Sequence, residues 1–120
     1  MIAIIDYGAG NIFSVKNALD YLGVENKLTA DKNEICAADE IILPGVGAFP
    51  WAMKMLRDSG LVDTIREEAR KKPFLGICLG LQLLFASSEE TPGVEGLGIC
   101  SGKILRIPDT EGLKIPHMGW

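Results

Sequence analysis

The sequence predicts an α/β domain, a parallel sheet with helices on both faces. Two observations carry this. Short apolar runs of strand length alternate along the chain with segments of helical periodicity. Three of those runs also end in glycine-bearing loops: Tyr7-Gly8-Ala9-Gly10-Asn11, Pro44-Gly45-Val46-Gly47 and Gly76-Ile77-Cys78-Leu79-Gly80. In a parallel sheet such loops fall at the carboxyl ends of the strands, where folds of this class bind ligands.

The elements follow in order. Ile2 to Ile5 is all apolar, as a strand buried on both faces must be, and it stops at Asp6. Ile12, Val15, Leu19 and Leu22 then recur at spacings of three and four, which makes an amphipathic helix with Asn11 as its N-cap and Gly23 just past its end. Val24 to Leu28 reads as a second strand, and Asp31 to Ala38 as a short helix opened by an Asp cap. Glu40-Ile41-Ile42-Leu43 is a third strand, stopped by the Pro44 loop. Helical spacing returns from Phe49 to Met55 and from Leu61 to Lys71, with Ser59-Gly60 as the break. Phe74 to Ile77 is a fourth buried strand, and a helix from Leu79 to about Ala86 follows it. Glu89 to Gly98 is polar and glycine-rich, a loop; Lys103 to Ile107 alternates like a half-exposed strand; Leu113 to Trp120 is a short final segment.

Composition narrows the function classes. A chain of 120 residues that is 48% hydrophobic is one domain with a modest core, not a disordered segment. The net charge of −4, with acids and bases interspersed and no basic stripe, argues against nucleic acid as a partner. Glu67 with Lys71 and Glu68 with Lys72 stand at i,i+4 spacing and read as a solvated helix face. No apolar run has the length of a bilayer span, and the start lacks the basic region of a signal peptide. Cys36, Cys78 and Cys100 are an odd number at wide spacing, with no CxxC and no His/Cys ligand cluster. A cytoplasmic, reduced protein without metal or cofactor is expected, with no membrane association.

Cys78 is the leading chemical candidate. G-x-C-x-G between a strand and a helix is the cysteine form of a nucleophile elbow. Flanking glycines permit a strained backbone, and a helix N-terminus favours a thiolate beside it. The competing reading is a small buried thiol, since free cysteine is among the most buried residue types. Gly45-Val46-Gly47 is either an ordinary turn or a source of backbone N–H for a developing oxyanion, with the Leu79 N–H as second donor. Gln82 lies one helical turn after Cys78, either to bond a polar substrate or as a partly buried helix residue. Gly8-Ala9-Gly10-Asn11-Ile12-Phe13 is a poor dinucleotide fingerprint, with Phe13 at the third glycine position. His117, the one histidine, is either a partner for Cys78 or a surface or interface residue; spacing does not decide. Cys36 and Cys100 read as inert, and Met53 and Met55 as core fillers.

Four segments together resemble a known family: IIDYGAGNIFSVKNAL at the start, LPGVGAF at 43–49, GICLGLQLL at 76–84 and KIPHMGW at 114–120. They are similar to the class I glutamine amidotransferases, and among them to the glutaminase subunits of imidazole glycerol phosphate synthases of histidine biosynthesis. The resemblance implies a flavodoxin-like sheet and a glutamine substrate. It makes Cys78 the nucleophile, Val46 and Leu79 the oxyanion donors with Gly47 beside them, and Gly45 and Gln82 glutamine-site residues. It also implies a (β/α)₈-barrel cyclase partner that receives ammonia, met by Asn11 and by His117, Met118 and Trp120. The family's catalytic histidine and glutamate follow the PHMGW motif, and His117, inside that motif, matches neither. Residues 1–120 are therefore expected to be the N-terminal part of such a domain, a poor glutaminase alone, with an exposed sheet edge that favours homo-oligomers.

Two neighbouring readings fit less well. The related amidase and chaperone-like superfamily carries a histidine after the elbow cysteine, where this chain has Leu79. A receiver or flavodoxin binding domain needs an acid cluster or a Ser/Thr-rich phosphate loop, and neither is present.

Overall fold

The computed structural model describes residues 1–117. Four strands form one parallel sheet: β1 (Ile2–Ile5), β2 (Asn26–Thr29), β3 (Glu40–Leu43) and β4 (Phe74–Gly76), in the order β2-β1-β3-β4. The helices are α1 (Ile12–Tyr21), α2 (Lys32–Ala37), α3 (Phe49–Asp58), α4 (Val62–Glu68) and α5 (Leu79–Leu83). A two-stranded parallel pair, β5 (Ser87–Ser88) and β6 (Lys103–Ile104), lies beyond α5. The flavodoxin-like α/β reading holds: sequential strands are joined by helical crossovers, which parallel pairing requires.

Strand alternation decides where the core sits. Ile5, Ile41 and Leu43 point to one face and pack with Ile35 of α2, Phe49, Met53 and Leu56 of α3, Ile65 of α4 and Leu83 of α5. Ile4, Ile42 and Leu75 form a row across the other face, in register from β1 to β3 to β4. That row is closed at one end and open at the other: Ile4 is 0%, Ile42 6% and Leu75 54% exposed. Only α1 covers this side among the described residues; it packs on β1 and β2 and has no fully buried residue. A groove of about 280 Å³ remains, lined by Ile2, Leu19, Ile42, Phe74 and Leu75.

Several boundaries differ from expectation, each for a local reason. Asn11 does cap α1, accepting from the Ser14 N–H at 3.4 Å, but Leu22 is exposed rather than part of the buried stripe. β2 begins at Asn26, not Val24, because the Val24 N–H is spent on the Leu19 carbonyl at the end of α1. α3 runs on to Asp58, helped by the Lys54–Asp58 pair, and α4 stops at Glu68. α5 ends at Leu83 instead of continuing to Ala86: Leu84 and Phe85 donate to Leu81 and Gln82, a tightened last turn that leads into β5. Lys103 to Ile107 is strand only over Lys103–Ile104. The loop before it is not merely polar, since Leu97 enters the core at 2% exposure.

The charged run on α4 is only half a solvated face. Lys71–Glu67 is exposed, as expected, but the Lys72–Glu68 pair at 2.7 Å is nearly buried. The Lys72 ammonium also donates to the Ile35, Cys36 and Ala38 carbonyls, at 3.2, 2.9 and 2.8 Å. Those carbonyls belong to the C-terminal end of α2, where backbone oxygens lack helical donors. A cation from the turn after α4 thus caps α2.

Candidate functional site

The site is built on the turn from β4 into α5. Cys78 has φ +54° and ψ −119°, and it is the only non-glycine residue with positive φ among the described residues. That strain is the mark of a nucleophile elbow. Cys78 is exposed, which removes the reading of it as a packed core residue. The flanking glycines are required by close approach. A β-carbon on Gly76 would stand 2.6 Å from the Leu81 Cα, and one on Gly80 would overlap the Leu43 carbonyl. The elbow can therefore sit directly on the end of β3, to which it is tied by the Ile77 N–H donating to the Leu43 carbonyl at 3.0 Å.

The loop after β3 closes over the same point. Gly45 lies so near the start of α5 that a β-carbon there would be 2.5 Å from the Gly80 nitrogen and 3.0 Å from the Leu79 carbonyl carbon. Pro44 and Gly45 are buried, whereas Val46, Gly47 and Ala48 are exposed. The loop after β1 completes the cluster: a β-carbon on Gly10 would be 3.2 Å from both the Gly45 nitrogen and the Pro44 Cβ. The three glycine-bearing loops do converge at the carboxyl ends of the strands. No protein acceptor is found for the Val46 or Leu79 N–H among the described residues. Unpaired N–H groups at a helix start are the ordinary means of holding a developing oxyanion.

Gln82 follows one turn after the elbow, its N–H donating to the Cys78 carbonyl at 3.3 Å. It is half-buried and lines a cleft of about 420 Å³ with Ser88, Glu89, Glu90, Ile104 and Arg106. Cys78 is not part of that lining, so thiol and cleft are neighbours rather than one cavity. Asn11 is exposed in the β1 loop at the head of α1. His117 lines a small pocket with Ile107, Leu113, Lys114 and Ile115, a lining that includes neither Cys78 nor Gln82. Met118 and Trp120 lie outside the described residues. No group of three or more His, Cys, Asp or Glu side chains poised to hold a metal occurs among the described residues. No helix there is long and apolar enough to cross a membrane.

Two residues of the site carried no sequence signal. The Tyr7 hydroxyl, buried under the β1 loop, donates to the Pro44 carbonyl at 3.0 Å. A Glu90 carboxylate oxygen accepts from the Phe49 N–H at 3.2 Å and so caps α3, whose own cap residue Ala48 has no side chain to do it. Both are long-range contacts, invisible to spacing along the chain.

This geometry has counterparts in known proteins. The chain is 55% identical over 121 residues to the imidazole glycerol phosphate synthase subunit HisH of Bacillus cereus (strain G9842), covering 100% of this chain and 57% of that protein. To the HisH subunit of Moorella thermoacetica (strain ATCC 39073 / JCM 9320) it is 58% identical over 120 residues, covering 99% of the chain and 56% of the relative. The chain thus spans little more than half the length of these relatives. A solved structure described as a crystal structure of glutamine amidotransferase superposes with a TM-score of 0.68 at 26% identity, covering 82% of this chain and 53% of that one. A family model, Glutamine amidotransferase class-I, matches residues 3–120, and the chain belongs to that family.

Proposed function

We propose that this chain is the nucleophile-bearing part of a glutaminase that supplies ammonia to a cyclase in imidazole glycerol phosphate formation, within histidine biosynthesis. The observation that carries the reading is the strained, exposed Cys78 on the β4–α5 elbow, with the 44–47 loop packed against it. The Cys78 sulfur attacks the glutamine side-chain carbonyl carbon. The carbonyl oxygen takes up negative charge and is met by the Val46 and Leu79 N–H groups, with Gly47 giving the loop room to turn. Collapse breaks the C–N bond, ammonia leaves with a proton, and water then cleaves the thioester to glutamate and free thiol. Gly45 and Gln82 bound the space for the substrate.

Proton transfer in this sequence needs a base beside the thiol. His117 lines a pocket that includes neither Cys78 nor Gln82 and is not proposed as that base. The proposed partner is the (β/α)₈-barrel cyclase, met through Asn11 and the 117–120 segment, in the cytoplasm. A second copy of the chain is the proposed occupant of the β4 edge, which has no strand partner on its outer side among the described residues, on the strength of the open row ending at Leu75.

Treatment with a diazo-oxo-norleucine reagent, a glutamine-like electrophile, tests the reading. Adduct mapping is expected to find Cys78 labelled at least about ten-fold faster than Cys36 or Cys100, the advantage of a bound over a merely encountered electrophile. Equal labelling of the three thiols would reduce Cys78 to an ordinary cysteine and overturn the proposal.

A further inference from the structure

Tyr7 takes no part in the chemistry just described, yet it touches the loop on which that chemistry depends. The residue is 4% exposed, and its hydroxyl reaches 37 residues along the chain to the Pro44 carbonyl. Burial pushes the phenol up to about 12, so near neutral pH it is a donor and not a phenolate. The Pro44 carbonyl belongs to the Pro44–Gly45 peptide, which is a rigid plane. Holding its oxygen fixes the orientation of that plane. Gly10 presses on the same peptide from one side, and Leu79 and Gly80 lie against Gly45. At the far end of the loop, the Phe49 N–H is held by Glu90. Burial follows the same pattern, with Pro44, Gly45 and Phe49 buried and Val46 to Ala48 exposed between them. The loop is tied at both ends and free in the middle.

From this we infer that Tyr7 is a positioning residue for the oxyanion loop: its hydroxyl fixes the Pro44–Gly45 plane, so that the Val46 N–H turns about a fixed pivot beside the start of α5. The inference rests on the glutaminase reading for its purpose, but the pivot itself is a property of the loop. The rotation left free is about the bonds flanking the Gly45 Cα, where the absence of a side chain both permits the turn and allows contact with α5.

Tyr7→Phe removes the hydroxyl and leaves the ring in place. Two readouts follow in the same variant. In NMR relaxation, the Gly45 amide is expected to drop from the rigid range near 0.85 to an order parameter below about 0.6, with Ile4 and Ile42 unchanged. The rate of Cys78 labelling by diazo-oxo-norleucine, divided by its rate with iodoacetamide, is expected to fall about five-fold, the factor one lost hydrogen bond supplies. The iodoacetamide rate itself should stay within about two-fold, because that reagent needs no oxyanion donor. An unchanged Gly45 order parameter would overturn the inference. So would loosening that spreads through β1 and β3, since Tyr7 would then be only a packing residue. Absence of a glutamine-reagent preference in the unmodified chain would sink the functional reading instead, and the Gly45 measurement would still decide the pivot.

Discussion

Cys78 is held at φ +54° and ψ −119°, a region where the β-carbon of an L residue crowds the adjoining backbone, at a cost of about 1–3 kcal/mol. The neighbours that impose this are specific: Gly80 against the Leu43 carbonyl, Gly76 against Leu81, and the Ile77 N–H on Leu43. A glycine at position 78 escapes the crowding. Cys78→Gly is therefore expected to be about 1 kcal/mol more stable than Cys78→Ala in urea unfolding, although glycine has the greater chain entropy to lose. If Ala proves the more stable, the elbow is not strained in solution. A strained residue that destabilises its own domain is the usual mark of a position kept for chemistry.

At the scale of elements, the bond between α4 and α2 runs through Lys72. Its ammonium meets three carbonyls at the end of α2 and the Glu68 carboxylate on α4. Lys72→Met keeps the length of the side chain and removes the charge. It leaves Glu68 nearly buried without its closest cation and the α2 carbonyls without a donor. The melting temperature is expected to fall by several degrees, whereas Lys71→Met, on the exposed side, changes it little. The pH dependence has a definite sign. Hydrogen bonds from Lys72, then Lys71, hold the Glu68 carboxyl below its ordinary 4.5. Its contribution is complete above that value and is lost as the pH falls through the lowered one. The gap between Lys72→Met and the unmodified chain should therefore narrow on acidification; a gap constant from pH 7 to pH 3 would remove Glu68 from the account.

At the scale of the whole molecule, the sheet is covered unequally. One face is closed by α2 to α5; on the other, exposure rises along the row from Ile4 through Ile42 to Leu75. β4 has no partner on its outer side among the described residues, so unpaired backbone groups adjoin apolar side chains. Such an edge favours pairing with another chain. Sedimentation at micromolar concentration is expected to show dimers or larger species, and Leu75→Lys to shift them toward monomer. A clean monomer at that concentration would contradict self-association. In strand alternation Leu75 stands opposite the face that holds the core, so the substitution leaves the core intact.

What the sequence determined by itself was local in origin. The apolar runs Ile2–Ile5 and Ile41–Leu43, the second opened by Glu40, marked β1 and β3, because a strand buried on both faces reads as a continuous apolar stretch. Caps marked the starts of α1 and α2, because a side-chain oxygen satisfies N–H groups only two or three residues away. G-x-C-x-G identified the elbow, since only glycine tolerates such close backbone packing there. The tertiary structure decided everything that depends on groups far apart in the chain. It put Lys72 inside rather than on a solvated face, drew Leu97 from a polar loop into the core, and placed His117 in a pocket whose lining does not include Cys78. It also brought Tyr7 and Glu90 to the two ends of one loop. Contacts across about forty residues leave no period in the sequence, because what selects them is the shape of the folded chain and not the spacing along it.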